Sequence, residues 1–182
     1  TRSRSGSDGP HTSYMKLKKL QLENFRNYQS HDYVFDDAQN LTIFVGDNGI
    51  GKTNFLEAIH VLSLGQSFRS NNREDMIQWD KDYFRCSAEI FSEEKISISP
   101  PHKTSLEVFY SSQPLRQKSF KKNGVKLASK DYLGNLITVL FHPEDLNMLY
   151  LSPSLRRRYM DTVLCQADRQ YLDALINYKH VL

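Results

Sequence analysis

Residues 46 to 53 read Gly-Asp-Asn-Gly-Ile-Gly-Lys-Thr, a complete G-x-x-x-x-G-K-[ST] spelling. An apolar run, Leu41-Thr42-Ile43-Phe44-Val45, leads in with a strand-like pattern. Asn54-Phe55-Leu56-Glu57-Ala58-Ile59 leads out at helical spacing. Strand, glycine-rich loop and helix in that order make an anion cradle. Gly46, Gly49 and Gly51 let the backbone curl so that its N–H groups face a phosphate, and the helix adds its positive end. Lys52 then reaches the outer phosphates and the Thr53 hydroxyl suits Mg²⁺. From average glycine and lysine usage the bare spelling should arise in roughly one chain in a hundred of this length. The flanking pattern makes chance rarer still, so the residues predict a nucleoside triphosphate site.

Outward from the loop, the helix is predicted to run to about Leu64, burying Phe55, Leu56, Ile59 and Leu62 or Val61, with Gly65 as its stop. Upstream, residues 16–22 alternate in polarity as a half-buried strand does. A turn at 24–28 and a second strand near 31–35 follow. Residues 1–14 are polar, rich in Gly and Ser and aperiodic, and read as a vector-derived, disordered tail. The middle is β-rich, with short candidates near 84–91, 94–99, 105–110 and 117–122. Lys122-Asn123-Gly124-Val125 is a hairpin signal, and Pro100-Pro101 excludes a continuous central strand there. A short helix around 129–135 should lead to an apolar strand at 136–141. Pro143 then opens a helical turn with Glu144 and Asp145. Ser152-Pro153-Ser154 marks a helix start, and Tyr171, Leu175, Tyr178 and Leu182 follow a helical spacing to the last residue. The division expected is a tail over 1–14, the N-terminal half of a nucleotide-binding head over 15–150, and the start of a helical lobe over 151–182.

The 182 residues are 39% hydrophobic and 25% charged, ordinary for a globular protein. No apolar run approaches the roughly 20 residues that span a bilayer, and the N-terminus lacks the apolar centre of a signal peptide. Cys86 and Cys165 lie far apart with no C-x-x-C and read as free thiols of a cytosolic protein, their spacing leaving a long-range bond open. The six histidines match no metal-ligand spacing. The net charge of +3 argues little, whereas its distribution argues more. Arg116, Lys118, Lys121, Lys122, Lys126 and Lys130 follow one another with no intervening acid. Arg156, Arg157 and Arg158 form a second cluster and Lys16, Lys18 and Lys19 a third. Any one cluster reads first as a solvated face. Three in a nucleotide-binding chain favour a polyanion partner.

Hydrolysis needs an acid to hold Mg²⁺ and a group to orient water, and no convincing strand-terminal Asp follows Thr53. Glu144, after the 136–141 strand, is a poor substitute. No N-K-x-D or D-x-x-G motif supports a GTPase. The chain reads as half of a split ATP-binding head.

An ordered set of motifs carries a family resemblance. Leu22-Glu23-Asn24-Phe25-Arg26-Asn27-Tyr28, the loop and helix from Gly46 to Ile59, Gly65-Gln66-Ser67-Phe68-Arg69-Ser70, Phe141-His142-Pro143-Glu144-Asp145-Leu146 and the stretch from Ser152 to Asp161 resemble, in order, the opening of RecF proteins. The resemblance covers residues 15–182. It implies an α/β P-loop NTPase of the ABC/SMC-like head type, with a mixed β-sheet, an antiparallel β-rich middle and the start of a helical second lobe. It also implies ATP and Mg²⁺ as ligands, binding to single- or double-stranded DNA at gaps or junctions, ATP-dependent homodimers, and RecR and RecO as partners in recombinase loading. Carried over by residue, it puts Gly46, Asn48, Gly49, Ile50, Gly51, Lys52 and Thr53 on the nucleotide and its Mg²⁺, with Arg26 beside them. The family's signature and acidic motifs lie near the C-terminus of a chain about twice as long and are not found here. Neither Gln66 nor Gln78 is assigned as the glutamine of the family's lid loop. Other readings are a different SMC-like head, a stand-alone phosphotransferase, and an interaction module with a vestigial loop, the last opposed by intact Lys52 and Thr53.

Overall fold

The computed structural model describes residues 13–36, 38–94, 102–146 and 153–181. Its frame is a six-stranded sheet of β1 (Ser13–Phe25), β2 (Tyr28–Val34), β3 (Tyr83–Glu94), β4 (His102–Ser111), β5 (Gln117–Lys122) and β6 (Val125–Leu127). The order is β2-β1-β3-β4-β5-β6, and every neighbouring pair is antiparallel. Alternation decides which face is buried. Leu20, Ala88 and Leu106 lie in one row across the strands, and Leu22, Cys86, Val108 and Phe120 in the next. All seven are buried. The intervening positions form a charged outer face, where Glu23 pairs with Arg85 at 2.9 Å, Arg85 with Glu107 at 3.6 Å and Glu107 with Lys121 at 2.7 Å. A sheet with one dry and one wet face needs a cover on the dry side only.

That cover is α1 (Lys52–Leu64), which lays Phe55, Ala58, Val61 and Leu62 on the buried rows. It ends as the sequence predicts: Gly65 takes a left-handed φ of 67° and donates its N–H to the Val61 carbonyl. The predicted buried set needs one correction. Leu56 is 45% exposed, and the neighbouring position that is fully buried is a carboxylate, Glu57. The turn at 123–124 is the expected hairpin, with φ of 51° and 78° at Asn123 and Gly124.

Two predicted strands are not formed. Residues 41–45, before the loop, and 136–141 belong to no strand. Both keep a strand's alternation: Leu41, Ile43 and Val45 are exposed, as are Ile137, Val139 and Phe141, while Phe44 and Leu136 turn inward. Among the described residues no strand pairs with either segment, and strand geometry needs ladder partners. For the same reason the sheet, expected to be mixed, is antiparallel throughout its described strands. The tail also ends earlier than predicted, since Ser13 and Tyr14 pair with Glu94 and Glu93. Residues 1–12, most of the 94–99 strand candidate, Pro100-Pro101, Ser152, Leu182 and the Glu144 side chain lie outside the described residues.

The helical end comprises α2 (Ser129–Tyr132), a 3-10 turn at Pro143–Leu146, α3 (Pro153–Ala167) and α4 (Arg169–Val181). Asp168 separates the last two helices, its carboxylate accepting the N–H groups of Gln170 and Tyr171 as an N-cap does. In α4 the buried position is Leu172; Tyr178, on the predicted stripe, is exposed. Gln166 of α3 reaches back to the frame. Its amide oxygen accepts from Thr138 N–H at 3.0 Å and lies 2.9 Å from the Ser63 hydroxyl oxygen, and its Nε2 donates to the Thr138 carbonyl at 3.3 Å. Both cysteines are free, Cys86 in the core.

Candidate functional site

The loop sits at the head of α1 with the conformation its glycines permit. Gly49 and Gly51 have φ of 86° and 115°, values that strain a residue with a side chain. Gly51 has a second reason to be glycine: a Cβ there would stand 2.7 Å from Asn27 Nδ2 and 2.9 Å from the Tyr28 hydroxyl. Lys52 folds its ammonium over the loop, donating to the carbonyls of Gly46 at 2.6 Å and Asp47 at 2.8 Å. Thr53 is exposed in the first turn of α1, as are Asn48 and Ile50 in the loop. The seven predicted loop residues therefore come together around one helix N-terminus, which favours an anion.

Arg26 lies in the turn between β1 and β2, at a left-handed φ of 54°. Its backbone N–H donates to the Met76 carbonyl at 2.8 Å. Its guanidinium grips Glu57 with two bonds, Nε to Oε2 at 3.0 Å and Nη2 to Oε1 at 2.6 Å, and also bonds the Asp75 carbonyl. The sequence-based reading places this arginine beside the nucleotide. In the structure its guanidinium is bound to a carboxylate that has no exposure.

Glu57 is the centre of a network that the sequence-based site set omits. Ser67 donates to its Oε1 at 2.5 Å, and Arg69 approaches its Oε2 at 3.5 Å. Arg69 also donates to Asn54 Oδ1 at 2.7 Å, and Asn54 donates to Asn27 Oδ1 at 2.9 Å. Asn27 in turn donates to the Ile50 carbonyl at 2.9 Å, and the Tyr28 hydroxyl to the Gly51 carbonyl at 3.1 Å. The available signal was a charged residue on the apolar side of a helix flanked by two Arg-bearing motifs, a pattern that asks for a buried pair.

Beside this network His60 is half-buried, and its pKa is lowered, by burial first, against the raising influence of Glu57 and Asp145. It borders a cavity of about 420 Å³ between α1, residues 66–68, residues 138–140 and α3.

The predicted basic contacts do not share one surface. Lys118 is half-buried, donates to the Gly65 carbonyl at 2.8 Å and lies 4.4 Å from the Phe120 ring centroid. Burial, then Arg73, pushes its pKa down to about 8. Arg116 pairs with Glu74 at 2.6 Å and Lys121 with Glu107 on the outer face. Lys122 is half-buried, and Lys126 and Lys130 are exposed. Arg156, Arg157 and Arg158 are all exposed in the first two turns of α3. No cluster of three or more metal-ligating side chains occurs among the described residues. At this loop the chain offers Mg²⁺ the Thr53 hydroxyl, a hard oxygen fit for that ion. No described helix is long and apolar enough to cross a membrane.

Comparison with known proteins places this geometry. RecF from Oenococcus oeni is 39% identical over 168 residues, and RecF from Oceanobacillus iheyensis 38%. Each match covers 92% of this chain and 42% of the relative, so the chain spans about two-fifths of the length of the curated relatives it matches. A solved structure described as the recombination mediator protein RecF with ATP is 31% identical, with a TM-score of 0.81 over 94% of this chain and 45% of that one. An Smc head domain from Pyrococcus furiosus, 19% identical, shares the fold at a TM-score of 0.62 over 92% of this chain and 46% of that one. The family model described as RecF/RecN/SMC N terminal domain matches residues 16–148, from β1 through the loop, α1 and the rest of the sheet. By that match and by the phosphate loop built on its sheet, the chain belongs to the RecF/RecN/SMC N-terminal domain family.

Proposed function

We propose that this chain is the N-terminal nucleotide-binding part of a RecF-type DNA repair and recombination protein, acting in the cytoplasm. One observation carries the reading: a complete phosphate loop, with Lys52 lying over it and Thr53 exposed at the head of α1. It occurs in a chain 31% identical to a RecF solved with ATP. Gly46, Asn48, Gly49, Ile50 and Gly51 wrap the phosphates. Lys52 moves from the loop carbonyls to the outer phosphates, and Arg26, anchored by Glu57, sits beside the nucleotide. The Thr53 hydroxyl would hold an Mg²⁺ bound with the nucleotide, and that ion would supply neutralisation of the phosphate charge.

In the longer protein, ATP drives homodimerisation, and the dimer binds DNA at gaps or junctions and works with RecR and RecO in recombinase loading. Arg156, Arg157 and Arg158 are the best-presented DNA contacts. Lys122, Lys126 and Arg116 contribute more weakly, and Lys118 and Lys121 are engaged within the chain. Such contacts go to backbone phosphate and weaken steeply with salt. The chain alone hydrolyses ATP negligibly, because among the described residues no cluster of acidic partners for Mg²⁺ accompanies the loop.

Calorimetric titration of ATP and ADP, with and without Mg²⁺, tests the reading. Weak binding that disappears in Lys52→Ala is expected. Binding that survives Lys52→Ala, or steady-state ATP turnover by this chain alone, would refute it.

A further inference from the structure

We infer that Asn27 and Tyr28 are positioning residues for phosphate binding: from behind the loop they fix the two peptide groups that present the N–H donors of Gly51 and Lys52. The inference rests on the nucleotide reading above and assigns a role to two side chains whose hydrogen bonds to the loop go to its backbone.

The geometry is direct. Asn27 Nδ2 donates to the Ile50 carbonyl, and that oxygen shares a planar peptide with the N–H of Gly51. The Tyr28 hydroxyl donates to the Gly51 carbonyl, which shares a peptide with the N–H of Lys52. In a trans peptide C=O and N–H point in opposite directions, so a side chain that holds the oxygen aims the hydrogen the other way. These two N–H groups head α1, where an anion is held. The Gly51 oxygen also receives the first helical bond, from Phe55 N–H at 2.9 Å, so Tyr28 takes its second lone pair.

The clamp is braced independently of the loop. Arg26, next in the turn, is tied to Met76 and to buried Glu57. Asn27 is held by Asn54, and Asn54 by Arg69. The Tyr28 ring packs against His31 and Phe55, at centroid distances of 5.2 and 6.5 Å. A loop with glycine at 46, 49 and 51 has wide conformational freedom, and donors aimed in advance avoid an ordering cost on binding.

Tyr28→Phe deletes one hydroxyl and keeps the ring, and Asn27→Ala deletes both amide contacts. ADP and ATP are titrated calorimetrically into the wild-type 182-residue chain, both variants and Lys52→Ala. Each clamp variant is expected to raise Kd about three- to tenfold, the loss of one hydrogen bond to the loop. ATP and ADP should weaken by the same factor, since both carry the inner phosphates. Amide exchange at Gly51 and Lys52 should quicken in the ligand-free variants, while the melting midpoint of Tyr28→Phe stays within about 2 °C of wild type. Wild-type affinity in Tyr28→Phe and Asn27→Ala, with binding lost in Lys52→Ala, overturns this inference and leaves the nucleotide reading standing. A lowered melting midpoint with unchanged Kd overturns it equally, as the signature of a purely structural role. No binding by the wild-type chain overturns both.

Discussion

At the scale of single residues, Glu57 joins three parts of the sequence: the turn at Arg26, the loop's helix and the Ser67–Arg69 segment. A buried carboxylate held by a guanidinium on two bonds is costly to leave half-made, because the surviving charge keeps its desolvation and loses its partner. Glu57→Ala should therefore cost about 3 kcal/mol in chemical denaturation. Glu57→Gln, which keeps the shape, should recover part of that. An alanine variant as stable as wild type would show that Arg26 finds water instead. Lys118 makes a different prediction. Its pKa of about 8 lies below the ordinary 10.5, so between those values the folded chain binds fewer protons than the unfolded one. The burial penalty is fully present below pH 8 and is relieved as pH rises toward 10.5. The stability of wild type relative to Lys118→Met should therefore increase from pH 8 to 10, measured as the difference between the two proteins. A flat difference would mean that the Lys118 ammonium is better hydrated than its bond to Gly65 suggests.

At the scale of elements, the end of α1 is as constrained as its beginning. A Cβ on Gly65 would stand 2.6 Å from the Phe120 ring, which itself stacks on Tyr132 at 4.7 Å. Gly65→Ala adds this clash to a left-handed φ and should destabilise by about 2 kcal/mol or more in thermal or urea unfolding. A neutral result would mean that Phe120 has room to turn. The helix, its stop and the Asn123-Gly124 hairpin were legible because their signals are local: a glycine, a period, a turn dipeptide. The loop was legible for the same reason. Leu56 was misjudged and Glu57 passed over because helical periodicity ranks positions by polarity and cannot see a guanidinium arriving from 31 residues upstream. Asn27 and Tyr28 were quoted in a motif but left without a role, since their partners are loop carbonyls, which no side-chain pattern reveals. Residues 41–45 and 136–141, read as strands, keep a strand's alternation but form no strand. A ladder takes two strands, and the second is not among the described residues.

At the scale of the whole molecule, those two segments leave a band of apolar side chains, with Val45, Val139 and Phe141 each more than 75% exposed. Such a band promotes self-association unless it is covered. Light scattering of the chain alone should show concentration-dependent association. Adding the remainder of a RecF-type protein, in cis or as a second chain, should suppress it and raise the melting midpoint. A monodisperse chain indifferent to that addition would make residues 15–182 self-sufficient. The Gln166 amide narrows how any such completion proceeds. In an extended segment the N–H and C=O of one residue point to the same side, and those of the next residue to the other. Thr138 has both groups taken by Gln166, and the Leu136 carbonyl accepts from the Ser63 hydroxyl at 2.7 Å. The even-numbered side of the segment is already sealed by two helices. An arriving strand would pair along the odd-numbered residues 137, 139 and 141. In hydrogen exchange, Thr138 should be protected before any partner is added and residues 137 and 139 only afterwards, so that the molecule accepts an added strand like a zip with one row of teeth already closed.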